Sequence, residues 1–108
     1  VKPQEDESVI IINHINAFLN TNLKEILDSN QVTELVVIGA MTHMCVDATV
    51  RAAKDFEFEC TVIGDACASR NLEINGKTVK AEDAHNAFLS ALAFFYADVK
   101  NTQDFLNS

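Results

Sequence analysis

Apolar positions along the chain follow two rhythms, and their alternation sets out the elements. Unbroken runs at Val9–Ile12, Leu35–Ile38 and from Cys60 to Ile63 are rich in β-branched residues. Such runs suit strands buried on both faces of a parallel sheet. Between and after them the spacing lengthens to three and four residues, the period of a helix face. Leu23, Ile26 and Leu27 predict a first helix, entered through Thr21 or Asn22 as N-cap and closed by Ser29, Asn30 and Gln31. Val46, Val50, Ala53 and Phe56 predict the inner face of a second, with Asp47 and Arg51 four apart on its wet side. The longest helix is expected from Ala81 to Tyr96, its stripe made by Ala84, Phe88, Ala91, Leu92 and Phe95.

The punctuation agrees. An acidic lead-in from Val1 to Glu7 reads as a loop, Ser8 to Asn13 as a strand, and His14 to Leu19 as a loop again. A further strand is expected from about Glu59 to Gly64, followed by a loop from Asp65 to Asn71. Leu72 to Val79 reads as a small hairpin turning at Asn75-Gly76. Asp98-Val99-Lys100 is a last short strand, after which Asn101 or Thr102 caps a terminal turn that buries Phe105 and Leu106. Strands alternating with helices call for right-handed parallel crossovers, hence a three-layer, doubly wound α/β sheet in one domain, residues 1–108.

Composition narrows the function classes. At 108 residues and 48% hydrophobic, the chain has material for one core. It contains no apolar run near twenty residues and no signal-peptide pattern, so neither a membrane span nor export is expected. Three cysteines without paired spacing point to reduced thiols in the cytoplasm, against a disulfide scaffold or zinc ribbon. A net charge of −8 with eight Lys and Arg in all excludes a phosphate-neutralising surface, and with it nucleic acid as a partner.

The chemistry centres on Cys45. It follows the strand of Leu35–Ile38 and Gly39, at the start of an alanine-rich helix. Unpaired N–H groups and the positive end of the helix dipole collect there and favour a thiolate. In doubly wound sheets, ligands bind beyond the carboxyl ends of the strands, where this thiol falls. A free cysteine is also commonly a small buried hydrophobe, so packing and nucleophile both stand as readings of position alone. His14, His43 and His85 have no metal-ligand spacing, and His43 and His85 are weak partners for a Cys–His pair. Met41 and Met44 read as packing or pocket-lining residues.

The order Gly-Ala-Met-Thr-His-Met-Cys-Val from Gly39 to Val46, with Ala48-Thr49, Arg51-Ala52-Ala53 and the strand from Cys60 to Ala66, resembles the isochorismatase-like cysteine hydrolases. That family includes nicotinamidases and N-carbamoylsarcosine amidohydrolases. The resemblance implies Cys45 as nucleophile, a cis peptide between Ala40 and Met41, and an oxyanion hole from the backbone N–H groups of Met41 and Cys45. It implies Phe18, Thr42 and His43 as residues lining the substrate pocket, with packing as the competing role for Phe18. A small-molecule substrate follows from the same resemblance, and no cofactor or metal is expected.

Two parts of the family's apparatus have no counterpart. The aspartate base in an apolar–Asp–x–Gln setting is not found, and the family's lysine falls on Ile12. The chain is therefore expected to begin after the family's first two strands and to turn over weakly or not at all. A non-catalytic remnant that binds a small ligand or a subunit partner is the alternative, and a structural domain with Cys45 buried is a third. In the family's strand order, the strands at Val9–Ile12 and Leu35–Ile38 would flank a gap of roughly 10–15 Å, given strands about 4.8 Å apart. Direct docking of the two strands, a homo-oligomer, or a complementing N-terminal segment is expected to close it.

Overall fold

Strands β1 (Glu34–Ala40) and β2 (Glu59–Ala68) run parallel, with Leu35 opposite Cys60 and Val37 opposite Val62. Strand β5 (Asp98–Lys100) continues the sheet in parallel on the far side of β2, giving the order β1-β2-β5. The computed structural model in which these elements are seen describes residues 9–11 and 13–107. Parallel neighbours need crossovers. Helix α2 (Asp47–Asp55) carries the chain from β1 to β2, and α3 (Ala81–Phe95) brings it back to β5. Helix α1 (Leu23–Ser29) precedes β1, α4 (Thr102–Leu106) follows β5, and the antiparallel hairpin β3 (Leu72–Ile74) and β4 (Lys77–Val79) stands apart from the main sheet. This is the α/β parallel-sheet architecture that the alternation of periods predicts.

The core forms where α2 and α3 meet one face of the sheet. Val46, Val50 and Ala53 from the α2 side, Phe58, Cys60 and Val62 from β2 and its approach, and Leu89 and Leu92 from α3 make one buried cluster. Val50, Val62 and Leu92 are fully enclosed, each contributing roughly 1.5–3 kcal/mol by leaving water. Leu35 and Val37 of β1 pack against the same cluster.

The opposite face of β1 departs from expectation. Val36 and Ile38 are 52% and 63% exposed, so β1 is not buried on both sides. Successive strand side chains alternate between faces, and α2 and α3 cover only the face of Leu35 and Val37. A continuous apolar run presumes cover on both faces, and among the described residues only one face of β1 has it.

The first strand also differs. Val9, Ile10, Ile11 and Asn13 belong to no sheet, while Ser8 and Ile12, like the lead-in from Val1 to Glu7, lie outside the described residues. A strand exists through its ladder partner, and these residues do not pair with β1. Among the described residues, direct docking of the two runs is therefore not formed.

Other boundaries shift for local reasons. The loop expected at Asp65–Asn71 begins later, because β2 rejoins β1 with Cys67 opposite Gly39 and Ala68 opposite Ala40 after an irregularity past Val62. On α3 the buried row is Ala84, Leu89 and Leu92 with Phe88 half-buried, whereas Ala91 and Phe95 face outward. Leu89 turns inward because Gly64 beneath it leaves room for its Cδ1. Phe56 is partly exposed and packs edge-on against Phe18, and Leu106 is exposed although Phe105 is half-buried.

Turn and cap chemistry follows the sequence closely. Asn75 and Gly76 have φ of 54° and 73°, the two left-handed positions of a tight hairpin turn. The Asn101 side chain accepts the Asp104 N–H at 2.7 Å and caps α4. At α1 the capping position is Asn22, without a side-chain bond. The Thr21 hydroxyl instead donates to the Ala17 carbonyl at 2.7 Å and accepts the Leu23 N–H at 3.3 Å.

Candidate active site

Beyond the carboxyl end of β1 the chain reverses within a few residues. The Ala40–Met41 peptide is cis, at the position the family resemblance implies. From Thr42 to Val46 the backbone makes one wide π-type turn that runs directly into α2. The Met41 carbonyl accepts the Met44 N–H at 3.0 Å and the Val46 N–H at 3.3 Å, a span that passes over Cys45. The helical path thus starts at Thr42, three residues earlier than Cys45. The cysteine still belongs to the turn that opens this helical stretch.

Cys45 is half-buried and lines a cavity of about 240 Å³. The remaining wall comes from Val37, Ile38, Gly39 and Ala40 of β1, from Val46 and Thr49 on the helix side, and from Ala17 in the loop before α1. Ala17 is fixed there by its N–H, which donates to the Thr49 hydroxyl at 3.0 Å. Thr49 follows Cys45 by one helical turn, so the i, i+4 spacing was the signal that could have found it. Nothing local in the sequence places Ala17. A larger groove of about 600 Å³ runs along the hairpin from Arg70 to Val79 and shares no lining residue with this cavity.

Of the residues expected to line the pocket, none lies on the cavity wall. Thr42 is wholly buried, and its hydroxyl is hydrogen-bonded to Nδ1 of His85 at 2.8 Å. His43 is half-buried, with Nδ1 2.7 Å from the Ser69 hydroxyl and its ring edge-on to Phe88 at 5.9 Å. Phe18 packs against Phe56 and Phe58 at ring separations of 5.3 and 6.3 Å, the packing role that competed with the pocket role. Met41 and Met44 are half-buried beside Cys45 in the chain.

The three thiols sit in different surroundings. Burial pushes the Cys60 thiol above its ordinary pKa. Burial does the same to Cys67, against a smaller opposing hydrogen bond with the Gly39 backbone. Asp65, which the structure places inside β2, is engaged elsewhere: its Oδ1 accepts the Thr102 N–H at 2.8 Å and the Thr102 hydroxyl at 2.7 Å, which hold its carboxyl below the usual range. The histidines are dispersed, His14 being 3.3 Å from the Asn20 amide, and among the described residues no three His, Cys, Asp or Glu side chains gather around a metal position. Among the same residues, no helix is long and apolar enough to cross a membrane.

Comparison with known proteins places this geometry. The isochorismatase domain model matches residues 1–104. The chain is 49% identical over 106 residues to the uncharacterized isochorismatase family protein YddQ of Bacillus subtilis, covering 98% of this chain and 59% of that protein. It is 35% identical to YrdC of the same organism, with 99% and 58% covered. The crystal structure of a putative isochorismatase hydrolase from Oleispira antarctica superposes with a TM-score of 0.95 at 48% identity, over 98% of this chain and 56% of that one. The chain thus spans little more than half the length of these relatives. With the family model matched over nearly its whole length and the strand, turn and helix around Cys45 in place, this chain belongs to the isochorismatase family.

Proposed function

We propose that Cys45 is the nucleophile of an isochorismatase-family hydrolase acting on a small amide, or a related C–N or C–O substrate. The observation that carries this reading is the cavity just past β1, into which Cys45 opens from the first turn of a helical stretch. A cavity of about 240 Å³ suits a small molecule. In the proposed reaction the thiolate attacks the carbonyl carbon, and the developing oxyanion faces the backbone N–H groups of Met41 and Cys45. The C–N bond then breaks, the amine departs with a proton, and water cleaves the thioester to release the acid and restore the thiol.

Proton handling is the weak link in these 108 residues. They contain no apolar–Asp–x–Gln motif, and isoleucine occupies position 12 where the family has lysine. General acid–base help is typically worth about 100- to 10,000-fold in rate. The chain by itself is therefore expected to turn over slowly or not at all, since expulsion of the amine is the step that lacks its proton donor. The test is incubation with a panel of primary amides, nicotinamide among them, followed by intact mass and ammonia release. Little ammonia is expected, at no more than one equivalent per chain for any thioester-sized mass increase, and any such increase should be lost in Cys45→Ser. Rapid ammonia release abolished by the same substitution would overturn the proposed inactivity, and inertness of Cys45 toward iodoacetamide would overturn the nucleophile.

The open side of β1 favours a second reading, in which this chain binds a subunit partner. Val36 and Ile38 are exposed apolar residues on a strand that, among the described residues, has a neighbour only at β2. A second copy of the chain, or a segment supplying the missing carboxylate, would cover them. The free thiols of Cys45, Cys60 and Cys67 support a reducing location such as the cytoplasm.

A further inference from the structure

The turn that carries Cys45 is tied down by side chains far away in sequence. Thr42, its first residue, is fully buried, and a buried hydroxyl is costly unless it is hydrogen-bonded. The partner is Nδ1 of His85, at 2.8 Å and 43 residues further on, in the second turn of α3. His43, the next residue, is held by the Ser69 hydroxyl at 2.7 Å and by the ring of Phe88, also on α3. Two successive residues at the start of the turn are thus gripped from α3 and from just beyond β2. Neither His85 nor Ser69 is on the cavity wall.

We propose that His85 is a positioning residue for Cys45, acting through the Thr42 hydroxyl. The turn has no capping side chain of its own at Met41, so its first N–H groups are not aligned by a local cap. The bond from His85 to Thr42 fixes the height and rotation of the turn relative to α3. That in turn fixes where the Cys45 sulfur and the N–H groups around it point. A misplacement near 1 Å costs on the order of 100-fold in reactions that depend on such alignment. The inference rests on Cys45 being the nucleophile, and it concerns the sulfur's reactivity, which is readable without any hydrolysis.

The experiment measures the rate of Cys45 alkylation by iodoacetamide at fixed neutral pH, by peptide mass, with Cys60 as internal control and ultraviolet thiolate absorbance as a second readout. His85→Leu and the near-isosteric Thr42→Val each remove the hydrogen bond. His85→Asn returns a polar atom close to the place of Nδ1. Slowing of Cys45 by about tenfold in the first two, recovery to within about threefold in His85→Asn, and an unchanged Cys60 rate are expected. An unchanged or faster Cys45 rate in Thr42→Val, no recovery in His85→Asn, or a parallel rise at Cys60 would overturn the proposal, the last by revealing general loosening. Should either His85 variant fail to fold, Thr42→Val with Thr42→Ser as its rescue decides the matter by the same rates. If Cys45 in the unaltered chain reacts no faster than Cys60, the nucleophile reading fails. If it reacts fast but ignores Thr42 and His85, only the positioning role fails.

Discussion

The guanidinium carbon of Arg51 lies 4.7 Å from the centre of the Tyr96 ring, while Nε donates to both carboxylate oxygens of Asp47 at 3.1 Å. One side chain thereby joins the first turn of α2 to the end of α3, the two helices that cover the core. The neighbouring carboxylate also holds the guanidinium pKa above its ordinary value.

Replacing Arg51 by methionine keeps much of the apolar stem and removes the charge. A partly exposed cation–π contact is worth about 0.5–1 kcal/mol and an i, i+4 ion pair about 0.3–0.5 kcal/mol. Arg51→Met is therefore expected to lower stability by about 1 kcal/mol, a fall of about 4–8 °C in Tm for a domain of this size. Urea unfolding with an unchanged slope would show the loss as a lower midpoint, and a midpoint equal to that of the parent chain would remove the clamp from consideration.

Asp65 gives the fold an acid-side dependence whose sign is fixed by its surroundings. Two hydrogen bonds from Thr102 favour the carboxylate, so its pKa is lower folded than unfolded. A group depressed in this way stabilises the fold above its unfolded pKa, about 3.9, and that contribution is lost as pH falls through the folded value. Between pH 6 and pH 3, Tm of the parent chain should fall more steeply than that of Asp65→Asn. Parallel curves would mean that the Thr102 bonds do not discriminate between the charged and neutral acid.

How much of this was legible in the sequence depended on how far each interaction reaches. The hairpin at Asn75-Gly76, the cap at Asn101 and the i, i+4 pair of Asp47 and Arg51 are local, and residue type and spacing were enough. The cis bond at Ala40–Met41 was readable only through resemblance, since neither residue is proline. The union of Thr42 with His85 depends on how α3 settles against the turn, which no spacing along the chain encodes. Exposure of Val36 and Ile38 was missed for another reason: an apolar run reports what a strand is suited to, and cover by a second layer is a property of neighbours.

Gly64 and Leu89 offer a direct test of the packing between β2 and α3. A Cβ added at Gly64 would meet Leu89 Cδ1 at 3.2 Å, with Val99 Cγ1 at 3.6 Å and the Lys100 carbonyl oxygen at 3.7 Å. Replacing glycine by alanine restricts the unfolded chain and would by itself stabilise by about 0.4–1 kcal/mol. Overpacking a filled core costs about 1–3 kcal/mol, and with Leu89 buried this cost should dominate. Gly64→Ala is expected to destabilise by about 1 kcal/mol, and Leu89→Val by a similar amount through the space it leaves. Together they should cost at least about 0.5 kcal/mol less than their sum, because the valine lacks the colliding methyl. Strict additivity in a urea double-mutant cycle would contradict the contact.

The uncovered face of β1 makes the last prediction. Val36 is exposed and, unlike Ile38, takes no part in the wall of the Cys45 cavity, so it reports on association without disturbing the site. Contiguous apolar surface beside a strand edge is a template for pairing, and a lysine placed there opposes it by charge and by the cost of desolvating it. The parent chain should therefore sediment as a concentration-dependent mixture of species larger than the 11.9 kDa protomer. Val36→Lys should shift that distribution toward the protomer while leaving the alkylation rate of Cys45 within about twofold, as expected for a surface change that leaves the turn alone. A parent chain that stays a single protomer at all concentrations would sink the association. A shift in Val36→Lys accompanied by loss of Cys45 reactivity would instead make the neighbouring copy part of the site, since covering β1 would then also shape the cavity its residues line.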